Sequence, residues 1–236
     1  MALPRIDKPL FDLEVPSQNK TVKARPFVVK EEKILLTAQQ SGQEKDIVLA
    51  IKQVLANCIQ DPTFDLDTLT TFDLEFMFLK LRSRSVNNVI DVSYRDNEDD
   101  KVYDFQIDLD TVEMMQPKVI NNKIMVNETV GIVMKFPSVT VLETVPDDVK
   151  LTDLVEHLVR SCIDTIFDEN EVYLASESTE EELSDFVDGL DIETFTKIRE
   201  FFDSLPSLYY KIEYTNALGN KREIELTTLS DFFTWG

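Results

Sequence analysis

Apolar positions along the chain follow two periods, and the switches between them predict the elements. Near the start, "LFDLEVPSQNKTVKARPF" alternates on both sides of a polar turn. Phe11, Leu13 and Val15 share one strand face, as do Val22 and Ala24, so a β-hairpin is expected around Pro16–Asn19. "VVKEEKILLTAQQ" then reads as a helix, with Glu31 and Glu32 in a first turn whose dipole favours negative charge. Ser41 and Glu44 have the S-x-x-E spacing of a capping box. Ile47, Ile51, Val54, Leu55 and Cys58 fall on one face of the helix that follows, and Asp61-Pro62 ends it.

The next segment, "DLEFMFLKLRSRS", is apolar nearly all round. Thr70 and Asp73 are placed to cap it. Asp73 and Glu75 lie in its first turns and Lys80, Arg82 and Arg84 in its last. Each sign sits at the end the helix macrodipole prefers, worth about 0.3–1 kcal/mol per charge. The charge gradient is thus helix-end electrostatics rather than a phosphate site. The apolar excess needs a separate account. Phe72, Phe76 and Leu79 make one stripe, Leu74, Phe78 and Leu81 another, and Met77 lies between. Such a helix is buried on most sides. Two placements satisfy it: the centre of a domain, or one stripe inside and the other against a partner.

The period then returns to two. "NVIDVSYRDNEDDKVYDFQIDL" predicts a hairpin around "DNEDD", and "NKIMVNETVGIVMKF" two short strands before Pro137. After "VPDDVK" the pattern predicts an amphipathic helix in "LTDLVEHLVRSCIDTIF", running into a strand at Ile163–Phe167, and a turn at "DENE" before "VYLA". Ser178 with Glu181 suggests a capped helix ending at Gly189. In "DIETFTKIREFFDSLP", Ile192, Phe195, Ile198, Phe202 and Leu205 are expected inward. A hairpin across Asn216–Asn220 and the aromatic "SDFFTWG" close the chain. The fold class expected is α+β: helices on antiparallel hairpins and a meander, followed by a smaller acidic α+β half. The boundary is expected near Pro146, giving an N-terminal domain at 1–146 and an acidic one at 147–236.

Composition sharpens this picture. The 236 residues carry 45 Asp or Glu against 24 Lys or Arg, a formal charge of −21. Between Asp147 and Asp203 there are 18 acids and 4 bases, 4 − 18 = −14, which is two thirds of the total. Such a surface repels nucleic acid and anionic membrane and attracts basic proteins. No apolar run approaches the ~18 residues of a membrane span, and "MALPRIDKPL" lacks a signal-peptide core. A soluble protein made in a cytoplasm is expected, with Cys58 and Cys162 as buried free thiols.

Candidate chemistry is sparse. The single histidine, His157, reads as a surface or boundary residue. One His and two isolated Cys do not make a zinc site. The cluster Asp96, Glu98, Asp99 and Asp100 lacks the calcium-loop spacing and reads as a solvated turn. The chain has no G-x-S-x-G, G-x-x-x-x-G-K-[ST] or G-x-G-x-x-G motif. No catalytic residue, cofactor or metal is expected. Aromatics in "EFMFL", "REFFDSL" and "DFFTWG" exceed what a small core readily absorbs, and aromatics are enriched at interfaces. Phe76, Phe78, Leu81, Phe201, Phe232, Phe233 and Trp235 are therefore the candidate partner interface.

Several segments resemble one family in order: "KARPFVVKEEKILLTAQQSG", then "LDTLTTFDLEFMFLKLRSRSV", then "DFVDGLDIETFTKIREFFDSLPSLYYKIEY" ending in "ELTTLSDFF". The second resembles a D-x-E-x-x-F-x-x-L-R-x-x-S pattern, filled here by Asp73, Glu75, Phe78, Leu81, Arg82 and Ser85. The family is that of the baseplate hub and hub-assembly proteins of T-even-type contractile-tailed bacteriophages. The resemblance implies a non-enzymatic structural or assembly protein of the central hub, located in the virion tail baseplate and made in the host bacterial cytoplasm. The implied partners are other tail and hub proteins, with the tape-measure protein and further copies of the chain as candidates; direct nucleic-acid contact is not among them. Some members are expected to carry a cysteine pair near the C-terminal hairpin, where this chain has "NALGN", so any metal held there has no counterpart here. Two alternatives stand beside this reading: a transient assembly chaperone absent from the mature virion, and an acidic protein that binds a host nucleic-acid-binding protein.

Overall fold

The computed structural model describes residues 6–41, 43–116, 120–145 and 151–232. In chain order the elements begin with β1 (Phe11–Val15), β2 (Lys20–Ala24), α1 (Val29–Ser41), α2 (Glu44–Cys58), α3 (Thr71–Ser85), β3 (Val89–Arg95), β4 (Val102–Asp108) and β5 (Glu113–Met115). There follow β6 (Lys123–Met125), β7 (Gly131–Met134), α4 (Val139–Thr144), α5 (Leu151–Ser161), β8 (Ile163–Phe167) and β9 (Val172–Leu174). The chain ends in α6 (Glu180–Asp188), α7 (Ile192–Asp203), β10 (Ser207–Thr215), β11 (Lys221–Leu226) and α8 (Leu229–Phe232). This is an α+β fold of small antiparallel sheets.

The chain forms two compact units, one of residues 1–115 with 207–236 and one of residues 116–206. The cut therefore differs from the boundary expected near Pro146. β6 and β7 precede that point, β8 and β9 follow it, and the four make one sheet in the order β6-β7-β8-β9. Surface charge changes near Pro146, but strand pairing is set by apolar faces and does not follow it.

In the first unit the central element is α3. It buries Phe72, Leu74, Phe76, Met77, Phe78, Leu79 and Leu81 and packs on α2, β1, β10 and α8. The capping box foreseen at Thr70 and Asp73 is formed. Asp73 also accepts from the Ser17 backbone N–H at 2.8 Å and the Ser17 hydroxyl at 2.6 Å, tying the β1–β2 turn to the helix start. The β1–β2 register places Leu13 opposite Val22, and both are buried as the alternation predicts. Lys80 Nζ donates to the carbonyls of Leu109, Asp110 and Val112 at 3.0, 2.9 and 2.8 Å, and closes the turn after β4. The buried Glu31 accepts from Arg25 and from the Val28 N–H, both at 3.0 Å, which holds the start of α1.

In the second unit Ile124, Ile132 and Ile166 lie in register across β6, β7 and β8. They share a core with Met134, Ile163, Val159, Val187, Ile198 and Phe201. Two caps differ from the sequence reading. Ser41 is the last residue of α1 and its hydroxyl donates to the Ala38 carbonyl, while α2 begins without a side-chain cap at Gln43. The box of α6 is Thr179 with Glu182, one residue beyond Ser178 with Glu181. In so acidic a stretch the S/T-x-x-E spacing fits overlapping registers, and the turn of the backbone chooses among them. On α7 Thr194, Ile198 and Phe201 are buried. The expected Phe195, Phe202 and Leu205 pack partly buried against the same core, but Ile192, expected inside, is 87% exposed.

Candidate functional site

Of the seven candidate interface residues from the sequence, the five that the structure describes are buried rather than on a surface. Phe76, Phe78, Leu81 and Phe232 are buried in the first unit, and Phe201 in the second, where it stacks on Phe136 at 6.3 Å between centroids. Phe233 and Trp235 lie outside the described residues. The five described side chains are instead core. Both stripes of α3 find neighbours within the chain, because the C-terminal segment returns to pack β10 and α8 against it.

The acidic turn between β3 and β4 is also not the solvated loop the sequence suggests. Asp96 is fully buried and accepts from the Tyr214 hydroxyl at 2.5 Å, with Arg222 Nε at 3.3 Å. Glu98 accepts from Asn216 and Asn220 at 2.8 and 3.0 Å, and Asp99 from the Tyr103 hydroxyl at 2.6 Å and the Ala217 N–H at 3.0 Å. The Tyr214 hydrogen bond holds Asp96 below the usual carboxylate range. These acids fasten the β3–β4 turn to the β10–β11 turn. Among the described residues no group of three His, Cys, Asp or Glu side chains could hold a metal ion.

Cys58 and Cys162 are buried and unpaired, and burial pushes their thiols up to about 11 and about 12. His157 Nε2 lies 3.1 Å from the Thr144 hydroxyl on an exposed face. Glu75 is pushed up to about 7, first by burial and then by the nearby Asp231.

A groove of about 550 Å³ lies in the second unit. It runs between the ends of β8 and β9 and the helix α6. Ile166, Phe167, Tyr173, Leu183 and Phe186 give it an apolar floor, and Asp168, Glu177 and Glu182 line it with acid. The Asp168–Glu171 turn is shaped by the Asp168 carboxylate, which accepts from the N–H groups of Asn170 and Glu171 at 2.7 and 2.9 Å. Phe167 packs its ring into the space left by Gly131, its β7 neighbour. A Cβ there would stand 2.2 Å from the ring. Lys123 lies 4.6 Å above the same ring, in cation–π range. The sequence signal for this groove was present in "VYLA" and "TEEELSDF", but only the fold sets the strand beside the helix.

The groove offers apolar and carboxylate contacts side by side. Among the described residues no helix is long and apolar enough to cross a membrane. No curated protein and no solved structure matches the chain. The family model described as "T4 bacteriophage base plate protein" matches residues 8–234. That span takes in both compact units, and the chain belongs to the T4 bacteriophage base plate protein family.

Proposed function

We propose that this protein is a non-enzymatic subunit of the central hub of a phage tail baseplate, working through contacts with other tail proteins. The observation that carries the reading, beyond the family itself, is where the charge lies. Residues 116–206 hold 20 Asp or Glu and 7 Lys or Arg, 7 − 20 = −13 of the −21 total, and they form one compact unit. A concentrated field of one sign speeds encounter with a basic partner and excludes nucleic acid. The acid-lined groove lies in this same unit, which makes it the proposed contact region. Its partners would be other hub proteins, the tape-measure protein or further copies of the chain, in a virion assembled in the host cytoplasm.

Quantitative mass spectrometry of purified virions tests the hub role. A hub subunit is present at a fixed small copy number per tail. A transient assembly factor is abundant in tail intermediates and missing from mature particles, and that result would replace the hub subunit with a chaperone.

A further inference from the structure

Among the described residues β9 is the outermost strand of its sheet, paired only with β8. Its three residues are all apolar in bulk and all exposed: Val172 at 66%, Tyr173 at 43% and Leu174 at 43%. A bare strand edge is a template for another chain, and proteins commonly blunt it with charge. β11, at one end of the β11-β10-β5 sheet, follows that rule, since its exposed positions are Lys221, Glu223 and Glu225. β9 does not.

The hairpin sets which main-chain groups face outward. The Asp168 N–H donates to the Glu171 carbonyl at 3.0 Å, and the register continues Phe167 with Val172, Ile166 with Tyr173 and Thr165 with Leu174. Antiparallel pairs alternate, so Tyr173 bonds toward β8 while Val172 and Leu174 turn their N–H and C=O groups away from it. The Leu174 carbonyl accepts from the Ser178 hydroxyl at 3.2 Å. The Val172 N–H and carbonyl and the Leu174 N–H are the groups a further strand would bond. Side chains of that strand would alternate between the face of Val172 and Leu174 and the face of Tyr173, and all three residues line the groove beside Leu183 and Phe186.

Charge selects the occupant. The stretch "DENEVYLASESTEEE" from Asp168 to Glu182 has seven carboxylates and no Lys or Arg. A second copy of the chain would bring the same excess to the same edge. We propose that β9 receives, as an added strand, an extended basic segment of another protein in which Lys or Arg alternates with apolar residues. Strand addition of this kind takes affinity from main-chain bonds and selectivity from alternate side chains. The inference rests on the hub reading only in taking the segment from a tail protein.

Calorimetric titration of the full-length protein with a short alternating lysine–valine peptide, against its glutamate–valine counterpart, is the test. The lysine peptide should bind, with affinity falling roughly tenfold from low to high salt as charge is screened. Val172→Pro removes an outward N–H and leaves the β8 ladder alone, which an edge strand tolerates. It should weaken binding about tenfold, the equivalent of one lost hydrogen bond, with unchanged circular dichroism. Independently of that variant, the peptide should slow amide exchange at Val172 and Leu174 in the wild-type protein. Absent binding, equal binding of the glutamate peptide, or unchanged exchange at both amides overturns the proposal. So does a dimer that Val172→Pro dissolves, because it makes a second copy the occupant. The hub reading fails by a different result, normal baseplates from phage lacking the protein. Phage carrying Val172→Pro that assemble normally would sink the strand pairing and leave the hub role standing.

Discussion

Asp73 and Glu75 lie two positions apart on α3 and meet opposite conditions. Asp73 is buried but accepts four hydrogen bonds, from the N–H and hydroxyl of Ser17 and of Thr70. Glu75 is largely withdrawn from water beside Asp231, so burial and a like charge both raise it, to about 7 from the ordinary 4.5. Between those values the folded protein holds a proton that the unfolded chain releases. Stability therefore falls as pH rises from about 4.5 to 7, by an amount on the order of 2–3 kcal/mol. Glu75→Gln should remove this slope and stabilise the protein at pH 8, which denaturant titrations at pH 5 and pH 8 would show. An unchanged slope would mean that Glu75 is solvated. Phe78 is the other decisive residue on this helix. It is 1% exposed, so Phe78→Asp places an unpaired charge in the core of the first unit, a loss of several kcal/mol. A thermal melt should show that unit unfolded. A stable, native-like variant would return Phe78 to a partner surface.

Among the elements of the first unit, the β3–β4 and β10–β11 hairpins are fastened to each other near their turns, and Tyr214 is one of the fasteners. Its hydroxyl reaches Asp96, and its ring lies 4.9 Å from that of Tyr103 and 5.3 Å from that of Phe105. Tyr214→Phe keeps the ring contacts and removes the bond to a buried carboxylate. Because Asp96 is held below its ordinary pKa of about 3.8, the bond's contribution is present above that pH and is lost as pH falls through the lower folded value. The variant should melt below the wild type at pH 7, and the gap should close in acid. Each hairpin was legible from its alternation and turn residues. Their union was not, since the partners are more than 110 residues apart and an Asp-rich turn looks solvated until its donors are known. The caps teach the same lesson locally: Thr70–Asp73 was unambiguous, whereas Ser178–Glu181 and Thr179–Glu182 overlap and only the backbone decided.

At the scale of the molecule, the second unit is an insertion in the chain of the first, which is resumed by β10, β11 and α8. A fragment spanning residues 116–206 should therefore fold, with a cooperative melt of its own, because it contains the whole β6-β7-β8-β9 sheet and its core. A fragment beginning at residue 147 should not, since it lacks β6 and β7 and leaves β8 with an unpaired edge. Cooperative unfolding of the 147–236 piece alone would reverse this division. Legible from the sequence were the α+β class, most elements apart from β5, α4 and α8, the central place open to α3, the acid concentration and the family resemblance. Those are properties of local period, local charge and segment order, and they need no knowledge of distant neighbours. Tertiary structure alone decided that the sheet crosses Pro146, that Phe76, Phe78, Leu81, Phe201 and Phe232 are core, and that Val172 to Leu174 are the exposed edge. The reason is physical: an apolar side chain reads the same in sequence whether it faces the interior or water, and which it faces depends on what the rest of the chain brings against it.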